Sequence, residues 1–123
     1  MIDKPISVEE KRRFARVESY VPIHYKNLKK LKDPATGVFT NDIGEGGIRF
    51  KSSEFISMAC RLLLEISLPT AQNPLRAISK VAWIRKSSDG KEYEVGNQFL
   101  EISRDDKVRI VEFINKLLGS TSA

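Results

Sequence analysis

Between residues 20 and 102 the chain alternates apolar and polar positions in short runs, and a helical period appears only after them. Val21, Ile23 and Tyr25 alternate with Tyr20, Pro22, His24 and Lys26, which predicts a half-buried strand with the first set facing inward. Val38 to Ile43 and Ile48 to Lys51 are the next two predicted strands, separated by the turn Asp42-Ile43-Gly44-Glu45-Gly46-Gly47. Arg61 to Leu68 sets Leu62, Leu64, Ile66 and Leu68 on one face. Leu75 to Lys86 is a longer strand, and Glu92 to Ile102 returns from it with Tyr93, Val95 and Phe99 on one face. Ser87-Ser88-Asp89-Gly90 supplies the hairpin turn between them. Lys32 to Gly37 reads as another turn, with Pro34 fixing φ and Gly37 free to take a positive φ, and Thr70 to Pro74 as a polar loop.

After Ile102 the period lengthens. Ser103 is placed as an N-cap, with Asp105 and Asp106 in a first turn where the helix dipole favours acids. Val108, Val111, Ile114, Leu117 and Leu118 are the expected apolar stripe, Gly119 the residue just past the helix, and residues 120–123 a frayed tail. Near the N-terminus, Ser7-Val8-Glu9-Glu10 has the form of a capping box and predicts a short helix over residues 8–15. So short a helix is marginal alone, so the segment is expected to stay mobile until something anionic organises it. Six antiparallel strands and one amphipathic helix predict a mainly β protein. The expected architecture is a small six-stranded antiparallel β-barrel over residues 20–119, closed by a C-terminal α-helix and preceded by a flexible N-terminal arm over residues 1–19.

Composition narrows the function classes. The 123 residues suit a single domain with one core, at 41% hydrophobic content. No run approaches the ~18 consecutive apolar residues of a membrane span, and the charged stretch from Met1 to Arg16 is unlike a signal sequence, which sets a cytoplasmic location as the expectation. Cys60 is the only cysteine, so no intrachain disulfide can form, and a small core hydrophobe is its expected role. One histidine and one cysteine fall short of a zinc site, and no histidine is placed to activate a serine or cysteine. The chain therefore reads as a binding module rather than an enzyme, with no metal and no cofactor. A net charge of +5 favours anionic partners. Lys26, Lys29, Lys30 and Lys32 are expected to be a solvated strand end and loop, since lysine lacks the fork geometry of arginine.

The candidate chemistry lies in two short motifs. In Arg12-Arg13-Phe14-Ala15-Arg16, the arginines at 12 and 16 fall on one side of a helix turn or one face of an extended segment, so their planar forks can converge on one anion. Gly44, Gly46 and Gly47 let the backbone approach a flat ligand and expose N–H groups to it. The pair suits a compact ligand that carries both phosphates and hydrogen-bonding bases.

The order Arg-x-x-x-Arg, then Asp-x-Gly-x-x-Gly running into Ile48-Arg49-Phe50, resembles the PilZ domain, the bacterial receptor domain for cyclic di-GMP. The resemblance continues through Val81-Ala82-Trp83, Val95-Gly96-Asn97-Gln98-Phe99 and the closing helix, and so covers nearly the whole chain. It departs from the family's Asp/Asn-x-Ser-x-x-Gly at Gly44, which stands where the family has serine. The resemblance implies a cyclic di-GMP receptor that changes conformation and signals to a protein partner. Its ligand residues would be Arg12, Arg16, Asp42, Gly44 and Gly47, with Arg13 a helper on charge grounds and Lys11 influencing how many ligand molecules bind.

Plainer readings stand beside these roles. Asp42 is either a turn former or the carboxylate that accepts from guanine N1–H and N2–H₂. Trp83 is either packing on the core or barrel face, or a platform for a base. Phe14 could anchor the arm to the barrel, and His24 is a surface histidine. Two rival functions remain: a degenerate PilZ module that works by protein contacts without nucleotide, and a basic barrel that binds single-stranded nucleic acid. The second needs a row of exposed aromatics, whereas only 8% of residues are aromatic and most are expected to look inward.

Overall fold

The computed structural model describes residues 16–122. The capping box, the short helix over residues 8–15, Lys11, Arg12, Arg13 and Phe14 lie outside the described residues.

Seven strands and one helix follow one another as β1 (Arg16–Glu18), β2 (Pro22–Asn27), β3 (Thr36–Gly44), β4 (Gly47–Ser52), β5 (Arg61–Ile66), β6 (Leu75–Lys86), β7 (Tyr93–Ile102) and α1 (Arg104–Ser122). A single 3₁₀ turn, Leu28–Lys30, follows β2, with the Asn27 side chain accepting from the Lys29 amide. The strands join in the order β1-β3-β2-β5-β6-β7-β4, and the β3–β4 pairing closes β2 to β7 into a six-stranded antiparallel barrel. Closure leaves none of those six with a free edge along its whole length. Arg16–Glu18, assigned from sequence to an arm outside the barrel, is instead a seventh strand paired with Asp42–Gly44 of β3.

Strand β3 therefore serves two partners on one edge: Thr36–Phe39 pairs with β2, and Asp42–Gly44 pairs with β1. The link between them is clipped by Thr40, a fully buried residue whose hydroxyl accepts from the Val21 amide at 2.9 Å and donates to the Ser19 carbonyl. Two main-chain bonds, Thr40 N–H to Val21 O at 2.9 Å and Ser19 N–H to Asn41 O at 3.2 Å, complete the clip.

Inward positions match the alternation. Val21, Ile23, Tyr25, Leu62, Leu64, Ile66 and Leu68 are all buried, and β4, β6 and β7 add Ile48, Phe50, Leu75, Val81 and Val95 to the same core. Tyr25 stacks on Phe50 with ring centroids 5.1 Å apart, its hydroxyl 3.3 Å from Ser52 Oγ, and burial raises the phenol pKa above its usual value. Cys60 packs against this core, and burial raises its thiol pKa as well.

Some local expectations change. Gly37 is a strand residue opposite His24, and among the described residues the glycine with left-handed φ is Gly90, at 74°. The buried helix face is Ile110, Phe113 and Ile114, with Val111 and Leu117 at its margin, while Val108 and Leu118 are exposed. Steps of three along an α-helix drift by about 60° each, so a stripe begun at Val108 has crossed to the opposite side by Leu117. Ser103 does cap the helix, its hydroxyl accepting from the Asp106 amide at 3.1 Å, but the helix runs through Gly119 to Ser122. The aromatics are not mostly inward either: Tyr25, Phe50 and Phe113 are buried, whereas Tyr20, Phe39 and Phe55 are exposed. Among the described residues no helix is long and apolar enough to cross a membrane, and no cluster of His, Cys, Asp and Glu could hold a metal ion.

Candidate functional site

A groove of about 1390 Å³ crosses the outer face of the barrel over β4, β7 and β6. Its charged side chains are Arg16, Arg49, Arg76, Arg85 and Lys107 against Asp42, Glu45 and Glu101, so cations dominate. Focused positive potential of this kind draws anions.

Asp42 reaches the groove through an irregularity in its strand. Thr40 and Asp42 are two residues apart and would share a face in a regular strand, and Thr40 faces the interior. A register shift between Thr40 and Asp42 in the β3–β4 pairing adds one residue to β3, which turns Asp42 outward and returns Ile43 to the core. A second shift, between Val81 and Trp83 in the β6–β7 pairing, does the same for Trp83. Val81 is buried in the core, yet Trp83 lies outside over Gly96, where an added Cβ would sit 2.2 Å from the indole ring. Sequence alternation, which puts Val81 and Trp83 on one face, had left the tryptophan's side open.

Three arginines and two acids in this region form one chain of ion pairs. The Arg16 guanidinium is 3.7 Å from Asp42 Oδ1, and Arg49 donates from Nε to Asp42 Oδ2 at 2.9 Å. Arg49 Nη1 is 3.6 Å from Glu94 Oε1, which also receives Nε and Nη2 of Arg85 at 2.9 Å. Arg85 in turn lies over the Trp83 ring, 5.3 Å from its centroid. Asp42 Oδ1 is buried and accepts no hydrogen bond among the described residues. Its lone pairs are the unspent acceptor capacity at this end of the groove.

The motif residues within the described region converge. Arg16 lies opposite Gly44 in the β1–β3 pairing, and Gly44 lies opposite Gly47 in the hairpin between β3 and β4. Gly47 has a packing reason to be glycine: a Cβ there would come within 1.9 Å of the Asn97 carbonyl oxygen on β7. The Gly46 carbonyl accepts from the Phe99 amide at 2.9 Å, which ties the hairpin tip to β7 as well. Arg49, Glu94 and Arg85 were not singled out from sequence. A usable signal was present for Arg49, whose place between the inward Ile48 and Phe50 puts it outward, opposite Asp42 across the hairpin.

The PilZ domain family matches residues 10–116 of this sequence. The chain belongs to the PilZ domain family. No curated protein matches it. Among solved structures, the Bacillus subtilis inhibitor of motility MotI/DgrA is similar at a TM-score of 0.73 and 17% identity, over 88% of this chain and 52% of that one. The PilZ domain of YcgR from Escherichia coli, determined with c-di-GMP, is similar at a TM-score of 0.67 and 12% identity, over 90% of this chain and 94% of that domain. The K. pneumonia MrkH–c-di-GMP complex gives 0.69 and 17%, over 90% of this chain and 54% of that one. This PilZ chain thus spans about half the length of MotI/DgrA and MrkH and nearly all of the YcgR domain. At these identities the likeness is one of fold.

Proposed function

We propose that this PilZ chain is a cyclic di-GMP receptor that binds its ligand where the arginine motif meets the β3–β4 hairpin. The observation that carries the reading is the position of Arg16, set opposite Gly44 with its guanidinium 3.7 Å from the buried Asp42. Arg16 lines the same cationic groove as Asp42 and Gly47. Family membership and the c-di-GMP in the YcgR and MrkH structures support the choice of ligand.

In this reading Arg12, Arg13 and Arg16 hold phosphates and guanine edges through charge-assisted, two-pronged hydrogen bonds. Asp42 accepts from guanine N1–H and N2–H₂, a donor pair that no other common base offers, and the backbone around Gly44 and Gly47 lets the ligand lie close. A ligand held at once by residues before β1 and by Asp42 on β3 fixes the N-terminal segment relative to the barrel. The resulting change in surface is what a protein partner reads. Gly44 keeps a second reading in view, a module that works through protein contacts alone, because it lacks the hydroxyl of the family's serine.

Calorimetric titration with cyclic di-GMP, and in parallel with a single-stranded oligonucleotide, tests this assignment. Saturable binding of the dinucleotide is expected. Arg12→Ala or Arg16→Ala should each remove charge-assisted bonds worth about 1.5–3 kcal/mol, a loss of roughly tenfold to a hundredfold or more in affinity. Arg16→Ala should melt close to wild type, since a partly exposed ion pair contributes little stability. Unchanged affinity in both variants would remove the ligand assignment, and heat from the oligonucleotide alone would replace it.

A further inference from the structure

The paired motifs give Arg49 no part, yet it is the most constrained cation in the groove. Its neighbours Ile48 and Phe50 are fully buried, which fixes the direction in which its side chain leaves β4. Strand pairing sets it directly opposite Asp42 on one side and Gly96 on the other. Its guanidinium is then held at two ends, by Asp42 Oδ2 at 2.9 Å from Nε and by Glu94 Oε1 at 3.6 Å from Nη1. Glu94 is itself anchored by two 2.9 Å contacts from Arg85.

The consequence falls on Asp42. With Oδ2 engaged, the carboxylate cannot swing about its terminal torsion without losing a charge-assisted bond. Its other oxygen, Oδ1, remains buried without a hydrogen bond among the described residues. A carboxylate held in one plane is an acceptor pair of fixed direction, since Oδ2 has a second lone pair beyond the one Arg49 uses.

We propose that Arg49 is a positioning residue for base selection, which locks the Asp42 carboxylate in the orientation that accepts two parallel N–H groups from a base edge. The inference rests on the cyclic di-GMP reading above. Guanine offers that edge through N1–H and N2–H₂. Adenine presents a bare N1 lone pair beside its amino group, so a fixed carboxylate meets it with repulsion on one side. A carboxylate free to rotate could turn one oxygen away and accept the adenine amino group alone. Selectivity thus depends on the clamp as well as on the charge of Asp42.

The experiment titrates the full chain with cyclic di-GMP and with cyclic di-AMP and reads the ratio of the two affinities. Arg49→Gln should weaken cyclic di-GMP binding by about tenfold, change cyclic di-AMP binding little, and so narrow the ratio. Arg49→Lys should recover only part of the ratio, because an ammonium keeps the charge without the fork. Glu94→Gln, which releases the far end of the clamp, should narrow the ratio in the same direction and serves as a second variant should Arg49→Gln melt early. In an Asp42→Ala background, Arg49→Gln should leave the ratio unchanged. Equal losses for both dinucleotides, or a further loss of selectivity in the Asp42→Ala background, would mean that Arg49 touches the ligand itself and would overturn the proposal. A wild-type protein that prefers cyclic di-GMP and keeps its preference in Arg49→Gln overturns this inference alone. A wild-type protein that binds neither dinucleotide overturns the ligand reading, and this inference with it.

Discussion

Gly44 stands where the family has serine, opposite Arg16 on one side and Gly47 on the other. Its φ lies outside the left-handed region, which among the described glycines Gly90 occupies, so a side chain at 44 brings no backbone strain. Gly44→Ser is therefore expected to tighten cyclic di-GMP binding by about 0.5–1.5 kcal/mol, a few-fold to roughly tenfold, through one added hydroxyl contact. Calorimetry on both proteins measures it, and a serine variant that melts like wild type but binds no better would show that the family contact does not transfer to this residue. Gly47 is different, since its Cβ would meet the Asn97 carbonyl before it met any ligand. Arg16, Asp42, Gly44 and Gly47 were legible because they sit in two compact motifs. The Arg49–Glu94–Arg85 chain was not, because each residue alone looks like a solvated charge on the polar face of a strand. Only the pairing of β4 with β3 and of β7 with β4 and β6 brings them together.

At the level of elements, period-two alternation located all six barrel strands, and the strand Leu75–Lys86 has the same ends in the fold. What alternation cannot register is an inserted residue, since it assumes an unbroken count along each strand. Bulges were therefore invisible, and with them the outward aim of Asp42 and Trp83. Turn chemistry was more readable. In the β6–β7 hairpin, Asp89 Oδ1 accepts from the Ser87 hydroxyl at 2.6 Å and from the Lys91 amide at 2.9 Å, and Gly90 takes the left-handed position. The Ser87 hydroxyl and then the Lys91 amide hold the Asp89 carboxyl below its usual 3.8. Because the folded value is depressed, the turn's contribution is complete above about pH 3.8 and is lost as the pH falls through the lower folded value. The protection of the Lys91 amide against exchange, relative to its intrinsic rate at each pH, should accordingly fall across that acidic window. Asp89→Asn should flatten this pH dependence of protection, and a Lys91 protection factor that does not change with pH in the wild type would remove Asp89 from the role.

For the molecule as a whole, closure is the governing constraint, because β3 is held by β1 and β2 on one edge and by β4 on the other. A strand gripped on both sides cannot slide to absorb a change in its length. The bulge between Thr40 and Asp42 thus acts as a parity bit: it decides whether everything after it on β3 counts as odd or even. Deleting Asn41 should remove the bulge and leave a regular strand, with Asp42 still opposite Arg49 and outward and Ile43 still opposite Ile48 and inward. Its cost should be confined to the clip, where the Asn41 carbonyl accepts from the Ser19 amide, so the deletion protein should keep the barrel and melt modestly below wild type. Combined with Asp42→Val and Ile43→Asp, the deletion should lose cooperative melting, because the charge is then inward and the apolar residue outward. A double-substituted deletion protein that melts cooperatively would show that losing Asn41 does exchange the two faces, and would overturn this account of the bulge. Substitutions in this segment change what the groove presents one side chain at a time, whereas the bulge lets two residues that are two positions apart, Thr40 and Asp42, face opposite sides of the sheet. In sequences of this family an inward residue two positions before an outward aspartate should therefore mark a bulge that alternation alone would miss.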